Sequence, residues 1–372
     1  MISSGSNLAR TTPSVVIGCH EQALGQPKVK AIWSVTKISR QCGSEWSDRK
    51  GCSDEIRDKK DLGILQMDPT NPEWDSWLYR IGCPVWGCKE WGGIVYPLGT
   101  PSTEYLSWYS QHFPTVEGNS TFYAVPPVTT FEKWRDQAAP GFKFCFKFPK
   151  SISHDKQLTF CDVELKDWLN KLSILAEADH LGPTFLQLGP SFAYKSLDRL
   201  EKFLRALPNQ WPWAVELRHL DWFDAGPQET RLEDLLRELQ IDRVLFDSRP
   251  LNSLDPSDLT ETASQVRKPK SPFRTSVTGI RPMVRLIGRN NPNEVTQYWQ
   301  FWATQINDWI SQGLQPWIFT HAPDDRAAPQ LAYLFDSNIR SLRDSLHPLP
   351  RLNTSADAKK AGENTMKQLE LF

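Results

Sequence analysis

Ionisable and hydrogen-bonding residues recur at the ends of short β-type runs along this 372-residue chain. Trp86 follows the first run, Glu117 and Asn119 close the second, Lys147 and His154 stand at and after the third, and Gln187 ends the fourth. Glu216, Arg218 and His219 come at the fifth, Asp247 at the sixth, Arg285 and Arg289 at the seventh and His321 at the eighth. Glu117 and Glu216 could divide acid and base work if their surroundings held one of them protonated. With Asp247, His219 and His321 they could instead offer oxygen and nitrogen ligands to a divalent metal, although no H-E-x-x-H spacing is present. Lys147 could form an imine if desolvated; binding an anion is the simpler role. The candidate catalytic groups are therefore Glu117, Glu216, Asp247 and His321. The candidate binding groups are Trp86, Asn119, Lys147, His154, Gln187, Arg218, His219 and Arg285.

Converging these residues requires a parallel sheet whose strand ends share one face. Strands are predicted at Tyr79–Cys83, Thr115–Gly118, Phe142–Phe146, Thr184–Leu188, Trp213–Leu217, Arg243–Phe246, Met283–Leu286 and Trp317–Thr320. Amphipathic stretches at Ser102–His112, Thr129–Gln137, Val163–Ala178, Leu197–Leu207, Glu229–Leu239, Asn293–Ser311 and Ala328–Arg343 predict helices between and after them. Pro208 and Gly313 supply stop signals. The exception is Asp247–Ile280, a long polar insertion with a weak helical stretch at Pro256–Gln265. Alternation of this kind predicts an α/β fold, a single (β/α)₈ TIM-type barrel over residues 76–347.

The flanks read differently. Residues 1–75 are rich in Ser, Gly, Lys, Arg and Asp without sustained periodicity, which predicts a disordered extension, and Met67 offers an alternative start to Met1. Residues 348–372 read as a flexible tail. The 43 basic and 44 acidic residues nearly cancel, so no net field draws the whole molecule to a polyanion. Seven cysteines without a C-x-x-C spacing fit reduced thiols in a cytoplasm. No apolar run is long enough to cross a bilayer, so no membrane partner is expected.

Local charge is less even. Between Ala263 and Asn293 stand Arg267, Lys268, Lys270, Arg274, Arg281, Arg285 and Arg289 without one Asp or Glu. This stretch could hold phosphate groups beside the strand ends, or be a solvated basic loop. Trp86, Trp91 and Trp222 fall in predicted loops where an indole could stack on a base or sugar, whereas Trp134, Trp168, Trp302 and Trp309 lie at helical spacing and should pack. For any one polar residue the alternative is structural: a Gln or an Arg–Glu pair inside a barrel can simply satisfy buried groups. For the set, the cost of burying several charges favours a site.

Several segments resemble the YecE-like family, domain of unknown function family 72. They are Ile81-Gly82-Cys83-Pro84-Val85-Trp86 with Trp91–Pro97, Glu117–Tyr123, Phe146–Lys150 with Ser153-His154-Asp155, Gln187–Phe192, and Ala214–His219 with Trp222-Phe223. The resemblance runs in order from about Arg80 to Arg343 and implies a barrel similar to those of endonuclease IV and xylose isomerase, without an established reaction. Two places depart from it: Ile287 stands where members often carry His in Arg-x-His-Gly, and Thr320–Asp325 replaces an Asn-rich turn.

The last residues, Gln368-Leu369-Glu370-Leu371-Phe372, resemble the Gln-Leu-x-Leu-Phe peptide with which bacterial repair and replication proteins bind the sliding clamp. Leu371 and Phe372 would anchor, with Gln368 hydrogen-bonded and Leu369 beside them; the alternative is an apolar tip folded onto the barrel. The leading expectation is a hydrolase or phosphodiesterase acting on a phosphate-containing or nucleic-acid substrate, with a divalent metal as a candidate cofactor. The alternatives are a non-catalytic nucleotide or nucleic-acid binding module recruited to the clamp, and a carbohydrate-active enzyme using the two glutamates.

Overall fold

A computed structural model of the chain describes residues 74–352. The extension up to residue 73, the alternative start at Met67 and the peptide Gln368–Phe372 lie outside the described residues.

Strands β1 (Arg80–Gly82), β2 (Thr115–Gly118), β3 (Lys143–Phe146), β4 (Thr184–Gln187), β5 (Trp213–Glu216), β6 (Asp242–Asp247), β7 (Met283–Ile287) and β8 (Trp317–His321) occupy the predicted positions. Helices α1 (Tyr105–His112), α2 (Ser120–Tyr123), α3 (Val128–Gln137), α4 (Asp162–Glu177), α5 (Leu197–Arg205), α6 (Pro227–Glu238), α7 (Leu259–Arg267), α8 (Thr296–Ser311) and α9 (Ala328–Arg340) connect or follow them. The long helices bury one stripe each. On α8, Trp299, Trp302, Ala303, Ile306, Trp309 and Ile310 recur every three or four residues and are buried, the spacing that aligns side chains on one helical face. Helix α7 forms where the sequence offers only a weak helical stretch, and its start is capped by the Asp258 side chain, which accepts from the backbone N–H groups of Thr260 and Glu261.

All pairings between the strands are parallel. They form a six-stranded sheet in the order β1-β8-β7-β6-β5-β4 and a separate β2-β3 pair. Where the regular ladder stops, single contacts continue: Glu117 N–H donates to Cys83 O at 3.0 Å, and Phe148 N–H donates to Phe185 O at 3.0 Å. Gly82 permits the first approach, since a Cβ there would fall 2.1 Å from the Thr115 carbonyl oxygen.

Alternation along each strand stacks the inner side chains in layers. Cys145, Phe185, Ala214, Val244, Met283, Trp317 and Phe319 form one apolar cluster. Two residues further along their strands stand Lys147, Gln187, Glu216, Phe246, Arg285 and His321. The polar residues therefore rest on an apolar floor, all at the C-terminal strand ends.

Both ends of the folded region extend past the expected boundaries. Trp74 is fully buried and its indole N–H donates to Ser110 O at 2.8 Å, so the first turn packs against α1. Leu349 is also buried, and the Tyr333 hydroxyl donates to Pro350 O. Among the described residues no helix is long and apolar enough to cross a membrane.

Candidate functional site

Arg285 occupies the centre of the polar layer. Its Nε and Nη2 donate to the two oxygens of Glu117, each at 2.7 Å, and its Nη1 donates to Glu216 Oε2 at 2.5 Å. Glu216 Oε1 also receives Gln187 Nε2 at 2.8 Å and an ion pair from Arg218. Asn119 Nδ2 donates to Glu117 Oε1 at 2.8 Å, and His321 Nε2 lies 3.1 Å from Glu117 Oε2. Both glutamates are thus enclosed by donors.

This network fixes protonation. Burial alone would raise the Glu117 carboxyl, but Arg285 and His321 hold it well below the usual carboxylate range. Burial likewise opposes ionisation of Glu216, and Arg218, Arg285 and Lys147 overcome it, bringing the group to about 2. Burial lowers His321 to about 4 despite Glu117 beside it, leaving a neutral ring whose Nε2–H donates to the carboxylate. The two glutamates are both ionised at neutral pH, so the expected division into one acid and one base is not what surrounds them.

Above the network opens a cavity of about 580 Å³, whose wall includes Pro84, Asn119, Phe122, Lys147, His154, Gln187, Arg218, Arg267, Lys268, Arg285, His321 and Asp325. Lys147 is buried, and its Nζ sits 3.5 Å above the centre of the Phe122 ring. Burial and then the neighbouring Arg285 bring its ammonium down to about 7, against the pull of Glu216 and Glu117. Burial and Arg285 lower Lys268 to about 8. Among the described residues, Lys147, Arg267 and Lys268 hold no ion pair.

His154 reaches the wall from a single wide helical turn, Ser151–Asp155, closed by Lys156 N–H donating to Ser151 O. The chain leaves this turn through Gln157, Leu158 and Phe160, all with positive φ, a backbone region costly for residues with a Cβ. Gly189 makes room for the imidazole, because a Cβ there would lie 3.2 Å from the ring. Ser153 Oγ donates to Pro149 O and therefore accepts from His154 Nδ1, 2.9 Å away. That leaves Nε2 as the unprotonated nitrogen. Burial and the nearby Lys147 lower the imidazole further.

Some candidates stand elsewhere. Asp247 follows Phe246 by one residue and so faces the opposite side of its strand, where its carboxylate receives Arg249 and, at 2.9 Å, the Trp302 indole N–H of α8. His219 caps a turn by accepting from Asp221 N–H at 3.1 Å. Trp86 packs edge-on against Trp134 at 5.2 Å and Phe144 at 6.0 Å. Trp91 and Trp222 are fully buried and donate to Asp325 O and Phe192 O, so neither presents a free face for stacking. Of the basic stretch, Arg274 pairs with Glu229 and Arg289 with Glu261, while Arg267 and Lys268 face the cavity.

Of the residues considered for a metal, Glu117, Glu216 and His321 do converge, but in a network centred on the Arg285 guanidinium. Glu117 is saturated by Arg285, Asn119 and His321, and Asp247 and His219 are engaged elsewhere. Among the described residues no group of three or more His, Cys, Asp or Glu side chains is arranged to hold one. Sequence reading also passed over Phe122, Ser153 and Asp325. Phe122 and Ser153 lie within the motifs that carried the resemblance, but nothing in their spacing distinguishes a supporting ring or hydroxyl from packing.

A family model described as "Protein of unknown function DUF72" matches residues 80–354. The chain belongs to the DUF72 family. It is 34% identical over 275 residues to the UPF0759 protein YecE of Escherichia coli K12, covering 74% of this chain and 97% of that protein. It is 26% identical over 239 residues to the UPF0759 protein YunF of Bacillus subtilis, covering 62% of this chain and 82% of that protein. Crystal structures of DUF72 proteins share its fold. One from Thermotoga maritima superposes with a TM-score of 0.54 at 21% identity, covering 72% of this chain and 99% of that one. Another from Enterococcus faecalis gives 0.53 at 19% identity, covering 72% and 98%. At the DUF72 position where this chain carries Ile287, the side chain packs with Phe246 and Leu251, and its register partner across the ladder is His321.

Proposed function

We propose that the cavity binds a phosphate-bearing small molecule of nucleotide or sugar-phosphate size. One observation carries this reading: Glu117 and Glu216 are already neutralised by Arg285 and Arg218, while among the described residues Lys147, Arg267 and Lys268 remain on the wall outside any ion pair, with Asp325 the one further carboxylate lining it. Cations left unpaired in a recess are suited to an incoming anion, and the volume of about 580 Å³ suits a small ligand. The eight strands, in this reading, close into a (β/α)₈ barrel across the single contacts at Cys83 and Phe185, which would place the cavity at the face where barrel enzymes hold their sites.

The test is a thermal-shift panel of sugar phosphates and nucleoside monophosphates, each beside its dephosphorylated counterpart. Phosphorylated members should raise the melting temperature and their counterparts should not. Equal responses within every pair would refute the reading. Chromatography of the same samples separates turnover, expected of a hydrolase or phosphodiesterase, from binding alone.

A further inference from the structure

We infer that Lys147 is the nucleophilic amine of this cavity, forming an imine with an aldehyde or ketone that also carries a phosphate group; the phosphate half of this inference rests on the reading above. The backbone around Lys147 is held on both sides, its N–H donating to Gly118 O at 3.2 Å and its carbonyl receiving the Thr121 hydroxyl at 2.9 Å. The side chain then runs into the cavity wall and ends over Phe122, with no hydrogen-bond acceptor or carboxylate partner among the described residues. Arg218 and Arg285 stand near it as like charges. A lysine meant only to hold an anion gains nothing from such a place, where an arginine would keep its charge. An amine that must lose its proton does gain.

His154 completes the arrangement. Its ring lies edge-on to the same Phe122, 5.0 Å between centres, and Ser153 fixes the tautomer that leaves Nε2 with a free lone pair. In the reaction the neutral Lys147 amine attacks the carbonyl carbon. A C–N bond forms, and the carbonyl π pair moves to oxygen, which is protonated to give a carbinolamine. His154 Nε2 carries the first proton released by nitrogen to that oxygen and the second to the departing hydroxyl, so that amine plus carbonyl yields imine plus water. Once protonated, the imine restores positive charge in the field of Glu216 and Glu117.

The experiment treats the full chain with glyceraldehyde 3-phosphate, or with glyceraldehyde, in the presence of cyanoborohydride, and maps adducts by peptide mass spectrometry. Lys147 should be trapped at least about tenfold faster than the exposed Lys89 and Lys133, saturably and with preference for the phosphorylated aldehyde. Lys147→Arg should lose that adduct while still melting as a folded protein. His154→Ala should slow trapping about tenfold at neutral pH while leaving the adduct on Lys147. Trapping spread over Lys89 and Lys133 at rates similar to Lys147 would overturn the inference, even where phosphate esters still raise the melting temperature. Equal trapping of both aldehydes at Lys147, with no thermal response to phosphate esters, would keep the amine and remove phosphate from its substrate.

Discussion

Arg285 and Glu117 meet in a two-point pair, Nε to Oε2 and Nη2 to Oε1, both at 2.7 Å, with neither side chain more than 5% exposed. Through the same guanidinium Arg285 also holds Glu216, so one residue of β7 fastens β2 and β5 at the level where the cavity begins. The glutamates read in the sequence as acid and base act here as the anionic seat of an arginine. In our proposal the reactive positions are the ones this seat leaves over.

Glu117→Gln should therefore destabilise the fold. Removing one partner of a buried, hydrogen-bonded pair typically costs about 3–5 kcal/mol, because the other charge stays buried. In urea at pH 7 the midpoint should fall while the slope of the transition stays the same. An unchanged midpoint would show that Glu117 is not an anchor.

Lys147→Met should have the opposite sign. The folded state holds the Lys147 ammonium near 7 instead of 10.5, so the unfolded chain binds the proton more tightly. The cost of burying it is complete below about pH 7, shrinks as pH rises and vanishes above the unfolded value. The variant should gain stability at pH 6, at most on the order of 5 kcal/mol, and nothing near pH 10.5. A gain independent of pH would mean that packing alone changed.

Much of this was legible in the sequence, for identifiable reasons. β-rich runs separated by helical patterns located the strands, and residues at their ends located the polar layer. Inward and outward positions alternate within a strand, which is why Gln187, Glu216, Arg285 and His321 converge while Asp247, one residue beyond the inward Phe246, turns to Trp302. Strand parity alone carries that distinction. What no spacing could show is which charges cancel. In the sequence Arg285 is one cation of a basic stretch, and only the fold pairs it with glutamates from β2 and β5, leaving Lys147 outside any ion pair among the described residues. The Ser153–His154 tautomer likewise depends on where the Ser153 proton goes.

Asp242 offers a check outside the cavity. Burial raises its carboxyl to about 7, although it accepts from Arg281 N–H at 2.8 Å. A raised folded value means stability that is full below the unfolded value near 3.8 and lost as pH rises through about 7. Asp242→Asn should flatten the decline in melting temperature between pH 5 and 8 and be the more stable protein at pH 8, by up to roughly 4 kcal/mol. Parallel pH profiles for both proteins would refute this.

For the C-terminal peptide the proposal remains that of a sliding-clamp ligand. The isolated last dozen residues should bind a bacterial clamp with about micromolar affinity, since a short tethered segment buries little area and loses freedom on docking. Replacing Leu371 and Phe372 with Ala should abolish binding and leave thermal stability unchanged. No binding by the unaltered peptide, with a loss of stability in the double variant, would place the tip on its own fold instead.

The most direct test of the proposal that the cavity binds anions is calorimetric titration of the full chain with inorganic pyrophosphate at pH 7 and pH 9, beside the double variant Arg267→Ser, Lys268→Ser. Binding should be measurable at pH 7 and weaker at pH 9, as Lys147 and Lys268, lowered to about 7 and about 8, give up their charge. It should fall at least about tenfold in the double variant, which loses two of the unpaired cations. No binding at pH 7, or equal binding by both proteins at both pH values, would contradict the account.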